Sequence, residues 1–189
     1  GDTLHLNDVE TFPAGVESEM FDPGDLLISL RNINAIMVLD PDSLEVKFLS
    51  IGHFVRQHDP DFLPGDRISV FDNYNHTIAP EFARPYSRIV EIDARSGAVT
   101  AVLDDGSESV FFTEIMGQHQ RLENGNILVV SSGEGRVLEY TADGRLAWRY
   151  ENTVGGEKMR IYGSKVLPSQ LDEAFFKQNT AACNKPVQP

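Results

Sequence analysis

Cysteine is nearly missing from this 189-residue chain: Cys183 stands alone, so no intrachain disulfide can form. No group of His or Cys has zinc-ligand spacing either. Basic residues are scarce. Sixteen Lys and Arg face 29 Asp and Glu, a net charge of −13. Nucleic acid and anionic membrane surfaces would repel such a chain and are excluded as partners. An anionic small molecule is not excluded, because a local field can oppose the global one. No apolar run approaches the roughly 20 residues of a membrane span. No acid-rich loop has regular metal-ligand spacing. DPGD, DPDF and Asp104-Asp105 read as solvated turns, and a calcium- or quinone-dependent enzyme finds no support. No cofactor is expected.

What is present is a 41% apolar composition, enough to bury a core. It is cut into short alternating runs. The organising stretch is 57–73, QHDPDFLPGDRISVFDN. A strand-like run leads to a turn at Pro64-Gly65-Asp66, then a second strand runs from Arg67 to Phe71. The rest of the chain repeats this unit.

The first set of four strands is read at Leu4–Pro13, Asp25–Arg31, Ala35–Leu39 and Glu45–Ser50. The second is His58–Leu63, Arg67–Phe71, Ser87–Asp93 and Ala98–Leu103, with a loop at 73–85. The third is Ile115–Leu122, Ile127–Ser131, Arg136–Tyr140 and Leu146–Tyr150. Glycines mark the hairpin turns at 123–126 and 142–144. The first turns recur at Pro13, Pro64 and Glu123, spacings of 51 (64 − 13) and 59 (123 − 64) residues. Four strands at this period predict an all-β protein, a β-propeller of four-stranded antiparallel blades. A β-sandwich explains the hairpins but not four aligned features recurring three times in one order.

The blades are expected at about 3–50, 57–104 and 111–150, within a propeller region 1–167 that has an extra strand at 159–167. A short helix (170–177) and a tail occupy 168–189. Rings hold roughly four to eight blades. The missing blades are expected from the same polypeptide or a second chain, and two apolar blade faces should stand open until they pack.

His5 and Asn7, followed by a strand ending Ser29-Leu30-Arg31, form one motif. Gln57-His58 with Phe71-Asp72-Asn73 forms a second, and Tyr86-Ser87-Arg88 a third. Together they resemble the bacterial aryl sulfotransferase family, PAPS-independent enzymes built on a six-bladed propeller. The resemblance covers residues 5–93 in detail, and GQHQRLENGNILV (117–129) follows the family's general blade pattern. It implies His58 as the nucleophile that carries a sulfuryl group, with His5 and Arg31 on the sulfate oxygens. The substrates it implies are a small-molecule aryl sulfate and a phenol, and its location the periplasm or the cell exterior.

That chemistry suits these residue types. Neutral imidazole can attack sulfur and hold the group covalently. A guanidinium such as Arg31 can clamp two equatorial oxygens. His5 could donate to a third or protonate the leaving phenolate. Asn7, Asn73 and His119 are the candidate substrate-binding residues, near where first strands would converge on an axis. Each has a plainer reading. Asn7, Asp72 and Asn73 serve equally as turn and strand caps. His119, Tyr86 and Arg88 read as structural, His53 and His76 as solvated loop residues, and Trp148 as a residue packed between blades. His58 beside Asp59 could be a surface pair of little worth. The function expected is therefore aryl sulfotransfer through a sulfohistidine, with a non-catalytic propeller scaffold as the alternative.

Overall fold

The structure, a computed structural model, describes residues 1–74, 86–104 and 110–183. Three four-stranded antiparallel sheets and one short hairpin account for its described strands. The first sheet holds β1 (Leu6–Thr11), β2 (Leu26–Leu30), β3 (Ala35–Leu39) and β4 (Val46–Ile51). The second holds β5 (His58–Leu63), β6 (Arg67–Asp72), β7 (Arg88–Asp93) and β8 (Val99–Leu103). The third holds β9 (Gln118–Arg121), β10 (Ile127–Ser131), β11 (Arg136–Tyr140) and β12 (Leu146–Glu151). Each strand pairs with the next in the chain, so each sheet is a meander of blade-like form.

Period-two alternation decides which face of a sheet is buried. Leu27, Val38 and Phe48 stand opposite one another across β2, β3 and β4. They pack on Phe62, Ile68, Val70, Val90 and Ile92 of the second sheet, with Phe12, Phe21 and Phe54 from the loops. Phe12 meets Phe62 edge to face at 4.8 Å. The opposite face of the second sheet gives Phe71, Ile89 and Leu103 to a second core, completed by Phe111, Ile127, Val129, Leu138 and Tyr140. Each such side chain contributes about 1.5–3 kcal/mol on burial. The second sheet thus has a neighbour on both faces.

Among the described residues, the first sheet does not. Val9, Ile28, Met37 and Leu49 share its outward face by register, and Leu49 and Ile51 remain 53% and 56% exposed. Asp66 ties the 14–24 loop to the second sheet. Its carboxylate accepts from the Glu19 and Met20 amides at 2.9 and 3.2 Å, from the Arg95 guanidinium at 2.6 Å, and from the Ser18 hydroxyl.

Four expectations are corrected. Residues 159–167 form no strand: a hairpin of β13 (Thr153–Val154) and β14 (Glu157–Lys158) precedes them, and the segment beyond makes only isolated bonds, such as Ile161 N–H to the Ser132 carbonyl at 3.3 Å. The helix is α1 (Glu173–Cys183), not 170–177, because Asp172 caps it by accepting the Phe175 amide at 2.8 Å. The strand expected at Ile115–Leu122 shrinks to Gln118–Arg121, since Met116 and Gly117 both take positive φ and turn the chain. Trp148 is not packed between sheets but half exposed, because the outermost strand of the third sheet is exposed along most of its length and no described residue covers it. The 73–85 loop lies mostly outside the described residues, and so does His76.

Candidate functional site

The first strands of the three sheets are neighbours, with β5 touching both β1 and β9. Between them opens a cleft of about 170 Å³, lined by Asn7, Asp8, His58, Asp59, Met116, Gly117, Gln118 and Tyr162. A cavity of about 150 Å³ suffices for benzene, so one aromatic ring fits a space of this size.

His58 opens β5 at a bulge, between Arg56 and Asp59, which both take positive φ. Bulges of this kind re-aim a side chain. Its Nδ1 lies 2.8 Å from Asn73 Oδ1 and 3.1 Å from the Arg56 carbonyl, while the Met116 amide reaches Nε2 at 3.2 Å. Two acceptors on one nitrogen and a donor on the other assign the neutral tautomer protonated on Nδ1. Asn73 is fixed in turn: its Nδ2 donates to the carbonyls of Thr113 and Met116 at 2.9 and 2.8 Å, which leaves Oδ1 for the histidine. Burial pushes the His58 pKa down. The Asn73 bond opposes this, and the positive charges of Arg31 and His5 reinforce it. The ring is neutral at pH 7.

Arg31 starts a single 3-10 turn after β2, and its backbone amide donates to the His5 carbonyl at 3.0 Å. Its guanidinium meets only Asn32 Oδ1, at 3.1 Å, and pairs with no carboxylate within 4 Å among the described residues. Burial and the nearby Arg56 lower its pKa, with Glu114 opposing. It stays cationic. His5 is half exposed and its Nδ1 is held by Asp2 at 2.7 Å. Asn7 donates to the Gln57 carbonyl at 2.7 Å, and its Oδ1 has no partner. Arg31 and His5 therefore sit near His58, and Asn7 and Asn73 border it.

His119 lies elsewhere in function. Its side chain is fully buried, Nδ1 is 3.0 Å from Asp59 Oδ2, and Nε2 is 2.8 Å from Ser69 Oγ. It fastens β9 to β5 and β6 and reaches no cleft wall. Asp59 is engaged with His119, so it forms no pair with His58. Asp72 is buried and holds the Val55 amide and the Arg88 guanidinium. Arg88 also lies 4.4 Å over the Tyr74 ring, which packs on Tyr86. His53 is exposed beside Ser50. Sequence reading missed Met116, Gly117, Arg56, Asp8 and Tyr162. The Met-Gly step was a turn signal submerged in an apparent strand.

Acids crowd around His119. Asp59, Asp61 and His119 place ligand-type atoms within 4.8 Å of one another, an arrangement that spacing along the chain did not suggest. Burial, reinforced by Asp59, pushes Asp8 up to about 6; burial, eased by His119, pushes Asp61 up to about 7. Burial raises Glu10 too. Burial would lower His119, but Asp59 and Asp61 raise it above its ordinary value. A carboxyl with a raised folded-state pKa stabilises fully below its unfolded value and loses that contribution as pH rises through the folded one. Asp66 acts in the opposite sense. Burial works against it, but its Ser18, Arg95 and amide partners bring it down to about 2, so its contribution is lost as pH falls from about 4 to 2. The melting temperature should therefore be highest near pH 4 and decline from there toward about pH 7. Asp61→Asn should flatten the upper limb. A melting temperature that climbs steadily from pH 5 to 7.5 contradicts this account.

Consecutive blade-like sheets whose first strands border an amide-oriented neutral histidine define the class: an all-β protein of four-stranded antiparallel sheets with a histidine cleft. The chain belongs to the arylsulfotransferase (ASST) family, whose model matches residues 1–153. The resemblance read from His5, Arg31, His58 and the Phe-Asp-Asn motif is borne out at that level. The fold is similar to the crystal structure of a protein of unknown function from Bacteroides caccae, with a TM-score of 0.51 and 15% identity. The match covers 67% of this chain and 45% of that one, so the chain spans less than half the length of that structure. Likeness at this identity speaks to the fold alone. No curated protein matches.

Proposed function

We propose that the chain forms part of an aryl sulfotransferase that moves a sulfuryl group from an aryl sulfate to a phenol through His58. The observation that carries this reading is the neutral, Nδ1-protonated His58 fixed by Asn73 near the Arg31 cation, which has no carboxylate partner among the described residues. Nε2 attacks sulfur, the S–O bond breaks, and the aryl oxygen leaves with the electron pair. The imidazolium so formed keeps its Nδ1–H on Asn73 Oδ1. An acceptor phenol then attacks sulfur, the N–S bond breaks, and its proton leaves with the departing phenolate or a nearby base. Arg31 stabilises the equatorial oxygens. His5, once released from Asp2, is a donor to a third oxygen or to the leaving group.

The Met116 amide occupies the Nε2 lone pair, so it must withdraw before attack. This contact favours a second reading, a non-catalytic binding or scaffold protein. Incubation with a chromogenic aryl sulfate, followed by intact mass, separates the two. Phenol release and an adduct of one sulfuryl group support transfer; a chain that yields neither is a scaffold.

We also infer that further four-stranded sheets, from the same polypeptide or a second chain, complete a six-bladed ring. The exposed apolar face of the first sheet supports this, since such faces associate. Sedimentation of the 189-residue chain as a stable compact monomer at all concentrations would count against it.

A further inference from the structure

We propose that Tyr162 is the platform on which the aryl ring of the substrate rests. The identity of the ligand rests on the transferase reading; the placement of the ring does not. Tyr162 lines the same cleft as His58, on a segment that forms no strand. Isolated backbone bonds nevertheless tether the chain just before it, and the residue just after it passes close to a neighbour. Met159 N–H donates to the Asn152 carbonyl at 2.8 Å, and Asn152 Nδ2 returns a bond to the Met159 carbonyl at 3.2 Å. Ile161 N–H donates to Ser132. Gly163 passes so close to Gln118 that a Cβ there would stand 2.7 Å from the amide oxygen.

Tyr162 thus borders the cleft without being buried. Tyr162 is 70% exposed, so it adds little to the core, and its hydroxyl has no hydrogen-bond partner among the described residues. An exposed aromatic face beside a cleft for one ring suits offset stacking with an aryl group. The anionic head would point to His58 and Arg31, so recognition divides into an aromatic half and an anionic half.

The test uses unreactive sulfonates, whose C–S bond blocks transfer. Calorimetry of the full chain compares naphthalenesulfonate with methanesulfonate. Tyr162→Ala should weaken naphthalenesulfonate roughly tenfold, while Tyr162→Phe stays within about twofold, since stacking needs the ring and not the hydroxyl. Methanesulfonate should be unaffected by either. If this pattern appears in a chain that turns over no aryl sulfate, the platform stands and the transferase reading alone fails. Unchanged naphthalenesulfonate binding in Tyr162→Ala, an equal loss for both sulfonates, or no aryl sulfonate binding by the wild-type chain overturns the proposal. Tyr162→Leu, which keeps apolar bulk without a π face, should behave as Ala; full affinity there overturns it as well.

Discussion

His58→Ala is expected to abolish sulfuryl turnover and the covalent adduct together. Among the described residues the cleft offers no substitute imidazole: His5 is turned to Asp2 and His119 is sealed behind Asp59 and Ser69. Loss of a covalent nucleophile costs on the order of 10⁶ in kcat. Arg31→Ala should behave differently. The adduct should still form, but slowly, at a barrier about 3 kcal/mol higher, the order seen when one preorganised donor to a developing anion is removed. Rapid quenching with intact-mass detection distinguishes the two. An adduct of unchanged amount in His58→Ala would move the nucleophile to another residue and end this reading. Arg31 is partly exposed, so Arg31→Ala should melt near the wild-type value, whereas His58→Ala leaves the buried Asn73 Oδ1 unpaired and should cost about 1–3 kcal/mol of stability.

The second large effect falls on stability. Gly117 has φ of +106°, and a Cβ there would stand 2.5 Å from the Phe71 ring. Phe71 is fully buried in the second core and cannot retreat. Gly117→Ala therefore combines a left-handed conformation, about 1–2 kcal/mol for a residue with a Cβ, with overpacking of about 1–3 kcal/mol. The chain should lose about 2–5 kcal/mol in denaturant unfolding. The damage should also reach the site, because the neighbouring Met116 supplies both the amide on His58 Nε2 and a carbonyl that fixes Asn73. A fully stable Gly117→Ala protein would show that the turn relaxes away from Phe71.

Much of this architecture was legible because it is local. His58–Leu63, Ala35–Leu39, Ile127–Ser131 and Arg136–Tyr140 alternate or run apolar between turn residues, and their strands match residue for residue. The contacts that build the cleft are not local. Asn73 orients His58 across 15 residues, Met116 caps it across 58, and Asp59 grips His119 across 60. No periodicity encodes such pairings. The Asn73 contact appears once β5 is paired with β6, and the other two only once β5 is laid against the β9 end of the third sheet. His119 illustrates the limit: its place in the repeat suggested a funnel residue, while burial and two hydrogen bonds make it a strut. The segment after β14 misled for a related reason. RIY and KVL have strand composition, but no free strand edge is paired with them, so composition alone did not produce a ladder.

The sheet that carries His58, Asp72 and Asn73 is the one with packed neighbours on both sides. In an array whose members touch only adjacent members, free energy is approximately a sum of unit terms and nearest-neighbour interface terms. The middle unit collects two interface terms and each end unit one. Subglobal opening should then begin at β1–β4 or β9–β12 and reach β6 and β7 last, so amides of Val70 and Val90 should exchange with solvent near the global rate. The cleft couples to this hierarchy asymmetrically. His58 and Asn73 belong to the slow unit, whereas Asn7 and Met116 come from its more labile flanks. Fluctuation would therefore loosen the partners of the imidazole before the imidazole itself, and release of Nε2 from Met116 requires no unfolding of the sheet that holds the ring.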